Sequence, residues 1–230
     1  MTIYHHGIIQ GTDEWRDLRR GVLTSTAIKT LITPTGKLAD NDKTRAHVYE
    51  IAAQRITGRT DDVWQSFDMM RGHDEERLAR DLYANHYAPV TECGFVVNDS
   101  LGFKVGYSPD GLVGEVGLIE IKSAKSRIQV ERIATGGVPT EHYAQIQTGL
   151  WVTGRQWCDF ISYGNGMKMM VYCVFADHAY HALIEQAATA FEQKVAEVIA
   201  AYERNSESYH MADYIAPITD EITLTENQEQ

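Results

Sequence analysis

The sequence predicts an α+β fold in which helices flank a mixed central sheet. Three observations predict it. Residues 12–86 carry apolar side chains mainly at helical spacing, residues 90–122 change to short strand-like runs between turn residues, and helical spacing returns after residue 124. The 230 residues are enough to bury a sizeable core, and 43% hydrophobic and 23% charged residues are ordinary for a globular chain.

The N-terminal part is predicted to be helical after an extended lead-in over residues 1–11. Thr12 can cap a first helix that ends before Gly21. Thr24-Ser25-Thr26 can open a second helix that ends near residue 32, and Thr33-Pro34-Thr35-Gly36 predicts a turn. Longer helices are expected over residues 42–57, where Gly58 ends the pattern, and over residues 61–86.

Strands follow, and then a second helical part. Strands are predicted over 90–97, 103–107, 111–113 and 118–122, joined as an antiparallel meander. Helices are predicted over 124–134 and 140–153, and Gly164-Asn165-Gly166 predicts a hairpin between strands 156–163 and 167–175. Asp177 can cap a long helix that reaches about residue 203. We predict one domain over 1–205 and a flexible acidic tail over 206–230.

The charge of the chain argues against a simple basic nucleic-acid binder. The net charge is −11, of which residues 203–230 contribute −6 through seven acids and one base, so the remaining residues carry −5. A mildly acidic body can still contain a local basic channel, and its acidic exterior would repel DNA from unproductive surfaces.

Two further patterns bear on location. No apolar run approaches the roughly 18 residues of a membrane span, and the first residues lack the features of a signal peptide. The three cysteines, Cys93, Cys158 and Cys173, form no CxxC pattern, so we expect reduced core thiols in a cytoplasmic protein.

The chemistry is predicted around Ser108-Pro109-Asp110-Gly111-Leu112 and the strand that carries Glu120-Ile121-Lys122. Alternate residues of a strand share a face about 6.5–7 Å apart, so Glu120 and Lys122 are expected on one face and Ile121 on the other. Antiparallel pairing across the turn at 114–117 would place Asp110 beside them. Two carboxylates and an ammonium on one sheet face indicate a metal site or a catalytic site.

A hard divalent cation fits these groups. The carboxylates of Asp110 and Glu120 and the backbone carbonyl of Ile121 suit Mg²⁺, with Mn²⁺ as a substitute. A third carboxylate is expected from Asp74, Glu75 or Glu76. A metal held there would polarise a phosphoryl oxygen and lower the pKa of a bound water.

Lys122 is expected to be protonated. A free lysine has a pKa of about 10.4, and two adjacent carboxylates should raise this pKa further. We therefore expect Lys122 to orient the nucleophile and stabilise charge on the phosphate. The alternative interpretation of the whole pattern is a surface hairpin with an incidental salt bridge.

Several motifs resemble the phage lambda exonuclease-like family of viral recombination exonucleases, which belongs to the PD-(D/E)XK nucleases. The Asp110, Glu120 and Lys122 pattern resembles the superfamily signature. Four further stretches match in order between about residues 10 and 195: Trp15 to Thr24, Gly72-His73-Asp74-Glu75-Glu76, Tyr107 to Leu112, and Ala144-Gln145-Ile146-Gln147 with Trp151-Val152-Thr153.

This resemblance implies a restriction-endonuclease-like α/β core and a Mg²⁺-dependent 5′→3′ exonuclease. Such an enzyme degrades one strand of linear duplex DNA from 5′-phosphorylated ends, releases 5′-mononucleotides and leaves 3′ overhangs for phage-type recombination. A homotrimeric ring around DNA, a single-strand annealing protein as partner, and the cytoplasm of a bacterial host are implied with it.

The resemblance also implies roles for individual residues. It selects Glu76 as the third metal carboxylate, beside Asp110 and Glu120, with Lys122 as the catalytic lysine and Gln145 assisting. Arg19, Thr26 and Ser108 would bind the terminal 5′-phosphate, although the family usually has serine at the Thr26 position. Met69 falls where the family places an apolar residue near the point of strand separation, and ordinary helix core is the alternative.

Basic residues after the catalytic strand have two interpretations. Lys125, Arg127 and Arg132 could line a DNA channel or form a solvated helix face. For the whole protein, an endonuclease or a single-strand nuclease on the same fold, or a non-catalytic module that binds DNA ends, are the alternatives to an exonuclease.

Overall fold

The computed structural model describes residues 1–33, 35–61 and 67–215, and it describes the side chains of all of these except 67–71, 73 and 74. Seven helices occur in these ranges: α1 (Asp13–Arg19), α2 (Ser25–Leu31), α3 (Asp42–Thr57), α4 (Phe67–His86), α5 (Ser126–Thr135), α6 (Thr140–Thr153) and α7 (His178–Ser206). Eight strands accompany them: β1 (Thr2–His5), β2 (Leu23–Thr24), β3 (Phe95–Asn98), β4 (Val105–Tyr107), β5 (Gly111–Val113), β6 (Gly117–Ser123), β7 (Trp157–Tyr163) and β8 (Met170–Phe175).

The strands form two mixed sheets of four strands each. The first has the order β1-β3-β4-β2, in which only the β4–β2 pair is parallel. The second has the order β5-β6-β7-β8, in which only the β6–β7 pair is parallel. The predicted α+β class with mixed strands flanked by helices is therefore confirmed, but the strands form two sheets and not the one central sheet that was expected.

The predicted meander is wrong at one point. β4 and β5 belong to different sheets, because the chain leaves the first sheet at Ser108-Pro109-Asp110 and enters the second. Proline lacks the N–H that a continuing ladder would need, which favours a break here. The break places Ser108 at the end of the first sheet and Asp110 at the start of the second.

The local signals for helix and hairpin ends have the expected structures. The Thr12 hydroxyl accepts a hydrogen bond from the Trp15 N–H at 3.4 Å and so caps α1. Asn165 and Gly166 both have positive φ, of 52° and 66°, as a tight hairpin turn requires. Predicted strand ends shift by a few residues: the strand predicted from 90 begins at Phe95, and the one predicted from 167 begins at Met170.

The second sheet is covered on both faces. Ile119 and Ile121 of β6 pack with Tyr83 of α4 in one apolar cluster. Leu118, on the opposite face of β6, belongs to the main core with Leu150 of α6. The alternation predicted for β6 is therefore present, and it directs Glu120 to the α6 side.

Two other predictions can be compared with the structure. Cys93 and Cys158 are buried free thiols, but Cys173 is exposed, so its placement in the core was wrong. Cys173 lies on β8, at the edge of the second sheet, where one strand face is open. No helix in the described ranges is both long and apolar enough to cross a membrane.

Candidate active site

Strands β5 and β6 bring Asp110 and Glu120 together. The last pair between β5 and β6 is Gly111 with Ile119, so Asp110 lies one step further along, opposite Glu120. The Asp110 carboxylate oxygen Oδ2 accepts a hydrogen bond of 2.6 Å from the Ile121 N–H. Antiparallel pairing thus brings together the two carboxylates that the sequence analysis selected.

Glu120 is a buried carboxylate with three side-chain donors. It is 1% exposed. Lys122 Nζ lies 2.5 Å from its Oε1, and Gln145 Nε2 donates to the same oxygen at 2.6 Å. The Tyr107 hydroxyl donates to Oε2 at 2.9 Å. These donors replace the water that Glu120 loses on burial, and they fix its orientation.

The charges of the site strongly shift the pKa values of Asp110 and Lys122. Burial and the neighbouring carboxylates of Glu120 and Glu76 raise the pKa of Asp110 well above its ordinary value. Burial alone would lower the pKa of Lys122, but the charges of Glu120 and Asp110 outweigh it, so the pKa rises. Lys122 is therefore a protonated donor in this arrangement rather than a base.

The acidic stretch of α4 provides one carboxylate on each side of the site. Glu76 accepts a hydrogen bond of 2.7 Å from Arg80 Nη2 and lies close enough to raise the pKa of Asp110. Glu75 instead accepts hydrogen bonds from the Ser123 hydroxyl and from the Asn165 N–H. Glu75 thus joins α4 to the β6 end and the β7–β8 hairpin, while Glu76 faces the carboxylate pair.

The oxygen donors fit a hard divalent cation. Asp110, Glu120 and Glu76 place excess negative charge in one small volume, and a divalent cation would relieve the repulsion that adds to burial in raising the pKa of Asp110. Within the described part of the chain, no three His, Cys, Asp or Glu side chains are already gathered as ligands. Glu76 would have to exchange its Arg80 partner for the ion.

A second cluster of donors lies at the end of β4. Arg19 Nη1 and Trp15 Nε1 each donate to the Ser108 hydroxyl oxygen at 2.9 Å. The Arg19 guanidinium also lies over the Trp15 ring, with 4.3 Å between Cζ and the ring centroid. Burial lowers the pKa of Arg19 to about 10, so it is still a cation at neutral pH. A fixed guanidinium beside a hydroxyl is suited to binding phosphate.

Thr26 begins near the same sheet edge. β2 and β4 are parallel neighbours, so their carboxyl ends, followed by Ser25 and Ser108, lie at one edge of the first sheet. Thr26 is exposed in the first turn of α2. Among the described residues it makes no hydrogen bond to Arg19 or Ser108, so the structure joins two of the three predicted phosphate ligands and leaves the third nearby in the fold.

The candidate DNA contacts are only partly described. Arg127 is exposed on α5 and pairs with Glu131 at 3.2 Å. Lys125 precedes α5 at its N-cap position. Arg132 is not on a solvated face: it is buried and donates to the Ser162 hydroxyl at 3.0 Å. Met69 lies in α4, but its side chain is outside the described residues.

Three residues of the site were missed by the sequence analysis: Tyr107, Trp15 and Arg80. The role of Arg80 could have been predicted from its spacing, because Arg80 follows Glu76 by four residues and so lies on the same helix face. In the structure Arg80 also donates to the Asp110 carbonyl oxygen at 2.7 Å. The role of Tyr107 depends on a distant residue: a Cβ at Gly149 would lie 2.7 Å from Tyr107 Cζ, so only glycine lets α6 approach this ring.

Comparison with known proteins supports a common ancestry over the site. The model of the YqaJ-like viral recombinase domain matches residues 14–156, more than half of the chain. This range contains Arg19, Ser108, Asp110, Glu120 and Lys122. No curated protein sequence matches the chain.

Solved structures give the same result. A crystal structure of an alkaline exonuclease from Laribacter hongkongensis is similar with a TM-score of 0.77 and 31% identity, over 86% of this chain and 100% of that chain. Its structure in complex with dAMP gives a TM-score of 0.76 and 32% identity over the same shares. A phage related exonuclease from Haemophilus somnus 129PT shares the fold, with a TM-score of 0.57, 12% identity and coverage of 78% and 96%.

The resemblance to the lambda exonuclease-like family that the motifs predicted is thereby confirmed. The matched range includes both the carboxylate cluster and the Arg19–Ser108 pair. The chain belongs to the YqaJ-like viral recombinase domain family.

Proposed function

We propose that this chain is a metal-dependent exodeoxyribonuclease that degrades one strand of linear duplex DNA in the 5′→3′ direction. The observation that carries the proposal is the pairing of two clusters across Pro109. Arg19 and Ser108 lie on one side, and Asp110, Glu120 and Lys122 lie on the other. Family membership and the similarity to alkaline exonucleases support it.

The first cluster binds the end of the DNA. Arg19 offers a fork of N–H donors to a terminal 5′-phosphate, and the hydroxyls of Ser108 and Thr26 complete the set. The phosphate would take the place that Ser108 now has as a partner of Arg19. A bound 5′-phosphate positions the next phosphodiester bond at the carboxylate cluster, so a preference for phosphorylated ends follows.

The second cluster positions the bond that is cut. Water attacks the phosphorus and gives up a proton to solvent, and the P–O3′ bond breaks as O3′ takes up a proton. A 5′-mononucleotide with a free 3′-hydroxyl leaves, and the next nucleotide keeps the phosphate on its 5′ oxygen. Lys122 is protonated and donates to the phosphate as negative charge increases in the transition state. Gln145 and Tyr107 hold Glu120 in place, so the negative charge of the site is fixed before DNA arrives.

Mg²⁺, or Mn²⁺ in its place, is the proposed cofactor. Asp110, Glu120, Glu76 and the carbonyl of Ile121 would hold it, and it would supply Lewis-acid polarisation of the phosphate and a lowered pKa for the attacking water. The oxygen-only donor set favours these ions over zinc.

Assembly and partners are proposed from the family resemblance. A homotrimeric ring threaded by DNA would explain how a chain of net charge −11 handles DNA, because only the channel needs to be basic. A single-strand annealing protein would take the 3′ overhang, and the work would take place in the cytoplasm of a bacterial host. Light scattering after gel filtration tests the ring, and a monomer would contradict it.

One experiment tests the activity. Linear duplex with 5′-phosphate or 5′-hydroxyl ends is incubated with the protein and Mg²⁺, and mononucleotide release is followed. We expect release from phosphorylated ends and its loss in Asp110→Asn and Lys122→Ala. Equal cutting of a closed circle would instead indicate an endonuclease, and binding of ends without any cutting would indicate a non-catalytic module.

A further inference from the structure

A cavity of about 560 Å³ lies beside the candidate active site, between α2, the start of α3 and the start of α6. We call it the α2–α6 cavity. Its walls include Lys29, Lys43, His142 and Tyr180, with Thr30 and Thr33 among the polar residues. Its volume is within the usual range of sites that hold small organic ligands.

The cavity adjoins both clusters of the site through two helices. Lys29 follows Thr26 by three residues on α2, and His142 precedes Gln145 by three residues on α6, so each pair shares a helix face. Gln145 in turn donates to Glu120. The cavity is therefore connected to the proposed phosphate and metal ligands through α2 and α6.

Positive charge converges on this cavity. Burial, together with the charges of Lys122, Arg132 and Lys29, lowers the pKa of His142 to about 3. His142 is thus neutral, and its Nε2 lies 3.0 Å from Arg132 Nη2, where it can accept a hydrogen bond. Lys29 is therefore close enough to act on this imidazole, whereas the charge of Lys122 is already paired with Glu120.

The cations on the cavity wall are available to a ligand. Among the described residues, Lys29 and Lys43 are exposed and form no ion pair. Glu141 is the one acid that lines the cavity within the described ranges, and it is paired with Arg132 at 3.8 Å and lies 3.4 Å from Nε2 of the neutral His142. In a chain of net charge −11, such an excess of free cations is a local exception that favours an anionic ligand.

One wall can accept a base. Tyr180 lines the cavity and is held edge-to-face against Tyr143, with 5.1 Å between ring centroids. Unpaired bases stack on such aromatic side chains, while lysines contact the backbone phosphates. Cations and an aromatic ring in one groove are the combination that binds single-stranded nucleic acid.

We propose that the α2–α6 cavity binds the phosphodiester backbone of one unpaired DNA strand beside the bond that is cut, with Lys29 and Lys43 contacting phosphates and Tyr180 facing a base. The inference deepens the proposed function and rests on it. The strand is either the one that is cut or its complement, which becomes unpaired as digestion proceeds.

The test compares Lys29→Gln/Lys43→Gln with wild type. Dissociation constants are measured in EDTA over a range of salt, and kcat and KM for mononucleotide release are measured in Mg²⁺. Two lost phosphate contacts should reduce the slope of log Kd against log salt by about 1.4–1.8 and weaken binding roughly tenfold or more at 0.1 M salt. KM should rise by a similar factor while kcat is nearly unchanged.

Matched variants separate this site from general attraction. Lys104→Gln/Lys168→Gln removes the same charge from two exposed lysines elsewhere and should bind like wild type. Lys29→Arg/Lys43→Arg keeps the charge and should do the same. Tyr180→Leu should weaken binding of unpaired DNA, and Tyr180→Phe should not. A wild-type slope and KM in Lys29→Gln/Lys43→Gln, or an equal loss in Lys104→Gln/Lys168→Gln, would overturn the proposal.

The substrate identifies the strand. Duplexes with blunt ends and with a 3′ overhang of ten nucleotides are compared. If the overhang strengthens binding and only the Lys29→Gln/Lys43→Gln variant loses that gain, the cavity holds the complementary strand. An equal defect on both substrates assigns the cut strand. If wild-type protein binds DNA in a way that depends on Lys29 and Lys43 but releases no nucleotides, the proposed exonuclease activity is refuted. The proposal that the α2–α6 cavity binds DNA would then still hold.

Discussion

Removal of the Tyr107 hydroxyl measures how strongly the buried charge of Glu120 depends on its donors. In Tyr107→Phe the ring stays in place beside Gly149, and only the 2.9 Å hydrogen bond to Glu120 Oε2 is lost. A hydrogen bond to a charged group contributes about 1.5–3 kcal/mol. For a chain of this size that corresponds to a fall in Tm of about 3–12 °C.

The assay is urea and thermal unfolding at pH 7.5 in EDTA, with Tyr4→Phe as the matched control. The Tyr4 hydroxyl donates to the carbonyl oxygen of Thr153 at 2.7 Å, a neutral and partly buried bond. Its loss should cost only about 0.5–1.5 kcal/mol. If Tyr107→Phe were no less stable than Tyr4→Phe, the reasoning that this hydroxyl stabilises a buried carboxylate would be refuted.

Three more predictions concern pH, the ion and the DNA end. Because the pKa of His142 is lowered to about 3 by burial and nearby cations, the unfolded chain takes up its proton first, near pH 6.5. The stabilisation from neutral His142 is complete above pH 6.5, and it is lost as pH falls below 6.5, by at most about 1.4 kcal/mol per pH unit. The free energy of unfolding in urea should therefore differ less between pH 7.5 and pH 5.5 in His142→Asn than in wild type. An equal difference in the two proteins would contradict this prediction. Asp110→Asn removes carboxylate repulsion, so in EDTA this variant should unfold at or above the wild-type Tm. Mg²⁺ should raise the Tm of wild type but not the Tm of the variant. If Mg²⁺ stabilised both proteins, Asp110 would be excluded as a metal ligand. Arg19→Ala should lose the preference for 5′-phosphorylated ends in the nucleotide-release assay. The control Arg16→Ala should keep this preference, because Arg16 lies on the same helix but is exposed and paired with Asp13. An unchanged preference in Arg19→Ala would exclude Arg19 from the phosphate site.

The carboxylate pair could be predicted from sequence because it depends on local geometry. The strand period places Glu120 and Lys122 on one face, and a short turn sets the register that brings Asp110 opposite Glu120. The same short-range logic correctly predicted the cap at Thr12 and the turn at Asn165. Each of these features depends on residues within about a dozen positions of each other.

Features that depend on distant packing were not predictable. Tyr107 donates to Glu120 from a position where its ring packs against Gly149 of α6, more than 40 residues later in the chain. Trp15 reaches Ser108 across a larger separation, 93 residues, since α1 packs against the end of the first sheet. The division into two sheets also depends on which partners β4 and β5 find, and strand pairing between separated segments has no signature in either segment alone.

The break at Pro109 has a consequence for the size of each step of digestion. Ser108 and Asp110 are two residues apart, and two residues can span at most about 7 Å. In the proposed reaction, one end of this short covalent link contacts the terminal phosphate and the other contacts the next phosphodiester bond. The repeat length of digestion would then be set by a fixed bond path through proline, which restricts its own backbone, and not by any motion between domains. An enzyme built this way removes the same length of DNA in every cycle without having to move a part of itself.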